Sequence, residues 1–279
     1  KPGTYEGTDF TRNGNEEPTQ PLAIIGWQGI VHYRTGPFSV DWKASIGTYR
    51  TSTSAVRRVF RTDVKSQEGL FQELSFVADV ATCESTPDSW TVDGAFVHIN
   101  IGREPAADDI ALIRGFHGAR FLAHDQDFFC ANLHIEGGIS GTLHFDAPAH
   151  RNIVGVRCSF RYSAPNNPSA PLDAVRIRRT NGLVAFFDCD ASAAAKDGWS
   201  FHDDGTEGMH VLLENCSAWR NGVAPAASVN ALTTHDEVRA LVLNGAFGLS
   251  RNGTEVHTIQ QAQTWIAGTT AIARDIDGA

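Results

Sequence analysis

Two stretches of the chain hold residues that could do chemistry. "DGWSFHDDG" covers 197–205 and "NALTTHDEV" covers 230–238, and both run from a polar residue through a large apolar one to His-Asp. The first offers Asp197, His202, Asp203 and Asp204, and the second His235 and Asp236. An imidazole exchanges a proton near neutral pH, and a carboxyl group serves as acid or base. Arg178 and Arg179, a little upstream, could grip a carboxylate in two-point geometry. Such a set suits an acidic sugar polymer. His202, His235, Asp203, Asp236 and Asp197 are the candidate catalytic groups, and Arg178, Arg179, Asp204 and Trp219 the candidate binding groups. The plain alternative is that polar residues cover the outer face of any strand, with His and Asp pairing on a solvated surface.

Hydrolysis of a glycosidic bond needs two carboxyl groups roughly 5 to 9 Å apart, for which Asp197, Asp203, Asp204, Asp236 and Glu207 are available. Elimination needs a base beside the uronate carboxylate and a cation for the enolate-like intermediate, which a His with Arg178 would supply. Asp203 with Asp204, or Asp188 with Asp190 around Cys189, offer oxygens of the kind Ca²⁺ accepts. Neither set has a calcium-loop spacing, so no metal ligands are assigned and the cofactor stays open. His98, His117, His124, His134, His144 and His150 are scattered without a zinc spacing.

The elements that must position these groups are repeats. "NIVGVRCSF" (152–160), "LVAFFDCDA" (183–191), "HVLLENCSA" (210–218) and "RALVLNGAF" (239–247) align with Cys158, Cys189, Cys216 and Gly245 in register. "FCANLHIEG" (129–137) is a looser copy. Each copy is followed by a second strand-like piece: 172–179, 196–203, 229–236 and 254–260. Short strands recurring roughly every thirty residues predict a solenoid whose rungs share one interior. Cysteine then acts as a small apolar residue in an inward ladder. In the second pieces Val175 and Ile177 match Trp199 and Phe201, then Leu232 and Thr234. Arg178, His202 and His235 follow as one outward column, and Arg179, Asp203 and Asp236 as the next. Asp173, Asp197 and Asn230 form another. Trp199, Phe201, Phe186 and Phe145 are core candidates, while Trp219 and Trp265 could pack or stack on sugar rings.

"PGTYEGT" (2–8) and "PLAIIGWQGIV" (21–31), then "STPDSWTVDGAFVHINIGREP" (85–105) and "DDIALIRG" (108–115), resemble the opening rungs, hairpin and resumption seen in right-handed parallel β-helix carbohydrate-active proteins. These form the pectate-lyase-like superfamily, with relatives of chondroitinase B, alginate lyases and phage spikes. The resemblance spans most of the chain and is a fold-level pattern. It implies an all-β, right-handed parallel β-helix. Residues 36–104 fit the rung pattern poorly and read as an insertion near the N-terminal end, with a short helix near 66–80, so the expected division is first rungs at 1–35, an insertion and hairpin region at 36–107, and the main helix at 108–279. It also implies polysaccharide as partner and lyase or hydrolase activity. In lyases akin to chondroitinase B the base is a Lys with an Arg partner, but Lys196 is the only Lys in the repeat region and no lyase motif surrounds it. A non-catalytic, glycan-binding spike and a purely structural solenoid remain as alternatives.

The bulk properties are consistent with this. The chain has 279 residues, 42% hydrophobic and 20% charged, with a formal net charge of −9, against the basic footprint of a nucleic-acid binder. No apolar run approaches the length of a membrane span, and "KPGTYEGTDF" has no apolar core of a signal peptide. Five cysteines are an odd number and fix no redox compartment. The missing initiator Met and uncapped ends point to a longer native protein or to a homo-oligomer or larger assembly. The expected location is extracellular, on a cell or on a particle surface.

Overall fold

A computed structural model describes residues 1–7, 10–12, 19–122, 125–165, 172–204, 208–222 and 228–272. His124, Glu207 and the terminal "ARDIDGA" lie outside them.

The chain is a nearly all-β parallel solenoid built on three parallel sheets of eight, seven and seven strands, the general architecture of the pectate-lyase-like superfamily. Each rung visits them in the same order. Rung by rung, sheet C includes Ile153–Val156, Leu183–Phe187, His210–Glu214 and Arg239–Leu243. Sheet A includes Ser159–Arg161, Asp190–Ser192, Ser217–Trp219 and Ala246–Gly248. Sheet B includes Leu143–Ala149, Val175–Thr180, Trp199–His202, Leu232–His235 and Val256–Thr258.

The repeated runs carrying the cysteines are therefore not single strands. Each bends between sheets C and A at a residue with positive φ: Arg157, Asp188, Asn215 and Asn244, at 50°, 53°, 52° and 52°. Asn and Asp tolerate this left-handed region better than most residues. Cys158, Cys189 and Cys216 come one residue later, free and buried in the tube, with the Cys158 amide donating to Cys189 Sγ at 3.3 Å. Leu133 stands in this column on the looser copy, following Asn132 at φ 56°. Cys130 lies on the preceding strand, with Sγ 3.8 Å from that of Cys158.

Alternation along the strands buries one face of each sheet. Phe145, Phe186, Trp199 and Phe201 are all fully buried. Phe186 lies 4.9 Å from Trp199, ring centre to ring centre.

The early strands join the same sheets, with Gly3–Glu6 and Val31–Arg34 in sheet A and Leu22–Ile25 in sheet C. The insertion departs from expectation in two places. Residues 66–79 are not helical: Phe71–Glu73 pairs with Val56–Lys65, and Ser75–Phe76 pairs with Ser89–Asp93. The one helix among the described residues is Val80–Ser85, capped by Asp79, whose carboxylate accepts the Thr82 N–H at 2.7 Å. The "SW..DG" hairpin forms as antiparallel Ser89–Asp93 and Phe96–Asn100.

"DDIALIRG" does not resume the rungs. Ile110–Arg114 pairs antiparallel with Val56–Lys65, and the solenoid resumes at Ala119–Phe121. Ile110, Ala111, Leu112 and Ile113 are all buried because the strand divides two cores. Ile110 and Leu112 face the insertion's own core, while Ala111 and Ile113 meet Phe60, Tyr162 and Ala193 at the junction with the solenoid. Arg58 clamps that junction, donating to Ser163 O at 2.7 Å and Ala193 O at 2.6 Å while bound to Glu73.

Candidate functional site

The outer face of sheet B gathers most of the chemistry-bearing residues. Inward Trp199 and Phe201 leave Ser200 and His202 pointing outward on the strand between them. Strand register sets Arg178 beside His202 and His202 beside His235. The two imidazoles stack with centroids 4.0 Å apart and planes 12° from parallel. Ser200 Oγ lies 3.0 Å from His202 Nε2 and fixes that ring's orientation. Burial, then the neighbouring His235, lowers the His202 pKa to about 4, and burial lowers that of His235. Near pH 7 both rings are neutral, so each keeps a lone pair.

The next column differs from expectation. Arg179 and Asp236 occupy the left-handed corner where the chain leaves sheet B, at φ 57° and 62°, but their partner is Asp204 at 54°. The rung carries one extra residue, Asp203, before its corner. Asp203 is buried and accepts the Gly208 N–H at 2.9 Å, so it is a structural group. Asp204 takes the outward place: its N–H donates to Asp236 Oδ2 at 3.0 Å, and the Asp236 N–H donates to Gln260 Oε1 at 2.7 Å. Ligand atoms of His202, Asp204 and Asp236 lie within 4.8 Å of one another, a set that could hold a cation. Asp204, however, is already bound by Arg178.

Both arginines picked from sequence are spent on carboxylates. Arg178 pairs with Asp146 and Asp204, and Arg179 with Asp146 at 2.7 Å. Arg176 is the group that sequence reasoning missed. It faces outward two residues before Arg178, flanked in register by His144 and Ser200. It is half-buried, and among the described residues its guanidinium has no ion pair or hydrogen bond. His144 beside it is buried with no hydrogen bond to either ring nitrogen among the described residues, its Nε2 lying 3.9 Å from Asp146 Oδ2. Burial and then Arg176 push its pKa down to about 3. Strict alternation from Arg178 would have found Arg176, but nothing local could tell that Asp146 neutralises Arg178 and Arg179 instead.

Asp173, Asp197 and Asn230 form a ladder at the edge of the face. Asp173 Oδ1 accepts the Asp197 N–H at 3.2 Å, and Asp197 Oδ1 accepts the Asn230 N–H at 2.9 Å. Asp197 Oδ2 accepts the Thr233 hydroxyl at 2.9 Å, and Lys196 Nζ lies 3.5 Å from the same oxygen. Asp197 is only 1% exposed, so it holds the rungs together and does not meet a polymer. Burial, then Asp173, pushes its carboxyl up to about 7. A carboxyl raised in the folded state favours folding fully below its unfolded pKa near 4, and that contribution is lost as pH rises towards 7. Asp197→Asn keeps an acceptor for Asn230 and removes the titration. In urea unfolding from pH 4 to 7.5 its stability should gain on the parent with rising pH, by about 1 to 3 kcal/mol in all; parallel curves would exclude the raised carboxyl.

Trp219 is not brought to this face. It lies on sheet A, half-buried against Gly248 and the junction core, which is a packing role. Trp265 is 53% exposed on sheet C. Asp190 is bound by Arg161, Ser192 and Ser217.

No helix among the described residues is long and apolar enough to cross a membrane. Comparison with protein-family models, with curated proteins and with solved structures returned no match.

Proposed function

We propose that the outer face of sheet B binds an acidic polysaccharide, with Arg176 receiving a uronate carboxylate. The observation that carries this reading is the half-buried, unpaired guanidinium of Arg176 among neighbours whose charges are mutually satisfied. A desolvated cation without a counter-ion is costly, and a ligand carboxylate relieves that cost with two parallel hydrogen bonds. Stacked strands repeat about every 4.8 Å, so the face is a long strip suited to an extended polymer. A surface position on a cell or particle fits such a partner.

The neutral His202–His235 pair favours elimination over hydrolysis as the reaction of this face. A ring nitrogen would take the proton beside the carboxylate, the electron pair would form the new C=C bond, and the C–O bond to the departing sugar would break, with a proton restoring its hydroxyl. Of the hydrolytic candidates, Asp197 and Asp203 are buried in structural bonds and Asp204 is bound by Arg178, which leaves Asp236 as the one described candidate that reaches solvent without an arginine partner. The test is incubation with polyuronates, following saturable binding and absorbance near 235 nm, where the unsaturated product absorbs. Replacing both His202 and His235 by Ala should abolish the absorbance signal with little change in the unfolding midpoint. Binding with no absorbance change selects a non-catalytic adhesin; no binding rejects the reading.

A further inference from the structure

We propose a second ligand site, for an organic oxyanion the size of one or two sugar rings, in the cleft between the insertion and the solenoid. The cleft has a volume of about 560 Å³, within the range of small-molecule sites. One wall is the Val56–Lys65 and Phe71–Glu73 hairpin. The other is formed by solenoid corners at Ala193, Arg220–Gly222, Leu249 and Arg251. It is on the sheet A side of the tube, so it is separate from the sheet B face.

Its charge is opposite to that of the chain. The chain has net charge −9, yet the cleft is lined by Arg58, Lys65, Arg220 and Arg251 against a single carboxylate, Glu73. Arg58 is consumed by Glu73, and Arg220 is bound to Glu68 at 2.7 Å. Lys65 and Arg251 have no ion pair among the described residues. Lys65 Nζ instead sits 5.7 Å from the centre of the Phe71 ring, an arrangement that leaves its charge available.

A third group also lacks a partner. Asn221 is 1% exposed and lines the cleft. Its Oδ1 accepts the Ala194 N–H at 3.0 Å, which fixes the orientation of the amide, and its Nδ2 has no partner among the described residues. A buried donor without an acceptor costs about 1 to 3 kcal/mol. Two unpaired cations and one unpaired amide on a single concavity call for an oxygen-rich anion. The apolar body of such a ligand would meet Phe60, Leu70 and Phe71.

The test uses D-glucuronate and inorganic sulfate as probes in an Arg176→Ala background, which removes the carboxylate anchor of the sheet B face, by calorimetry or by protection against thermal unfolding, at low salt and in 0.5 M NaCl. Glucuronate should bind saturably, more weakly in salt. Lys65→Ala and Arg251→Ala should each weaken it at least 5-fold and together abolish it. Both side chains reach solvent, so the fold should survive. Because Arg176→Ala silences the other face in every arm of this test, the two sites succeed or fail separately. Lack of saturable glucuronate binding, sulfate binding alone, or binding retained in the Lys65/Arg251 double variant would each overturn the site.

Discussion

Arg176→Ala should weaken binding of a uronate oligomer to the sheet B face by roughly 10- to 100-fold. Hydrogen bonds to a charged group contribute about 1.5 to 3 kcal/mol each, and each 1.4 kcal/mol is about tenfold in affinity. The effect should be specific because, among the described residues, Arg176 has no counter-ion to leave stranded. The unfolding midpoint should stay within a degree or two, and the suppressed pKa of His144 should rise once the adjacent cation is gone. Arg176→Lys keeps the charge but loses the two-point fork and should recover only part of the affinity. Arg178→Ala makes a sharp contrast. It breaks ion pairs to Asp146 and Asp204, so it should disturb the face without removing a free anchor. Measuring affinity for the three variants by calorimetry, with NMR titration of His144, separates these cases. Unchanged affinity in Arg176→Ala would reject the anchor.

Trp199→Ala should be the most destabilising single change on this strand, by roughly 4 kcal/mol. The indole is fully buried, packed 4.9 Å from Phe186 and stacked 6.4 Å from Phe201. Truncation removes that contact and leaves a cavity that the neighbouring rungs close only in part. It also strands the Ser217 carbonyl, which accepts the indole N–H at 3.1 Å. Trp199→Phe retains most of the volume and should lose only about 1 to 2 kcal/mol. Net stability of a folded domain is about 5 to 15 kcal/mol, so the Ala variant forfeits a large share. Urea unfolding with the transition midpoint as readout is the direct measurement. Because rungs stabilise mainly their neighbours, proteolysis should open first near 199–235. A loss under about 1 kcal/mol would mean that the tube interior is not as closely packed as the structure has it.

Sequence periodicity was sufficient for the solenoid, the inward cysteines and the stacking of His202 on His235, because each rests on a strict alternation that local residues dictate. The same alternation misassigned Asp203, since one extra residue before a corner shifts which carboxylate turns outward, and no local pattern marks that insertion. "IALIR" could be read as a rung because a strand buried on both faces shows the same apolar run whichever sheet it joins. Its antiparallel partner lies some fifty residues away in the chain. Charge pairing was likewise beyond sequence. Arg176, Arg178 and Arg179 look equivalent until Asp146 on the neighbouring strand binds two of them and leaves the third without a partner among the described residues. Residue order thus determined which face each side chain takes, and only the stacking of distant rungs decided which charges were already satisfied, because ion pairing depends on distance in space.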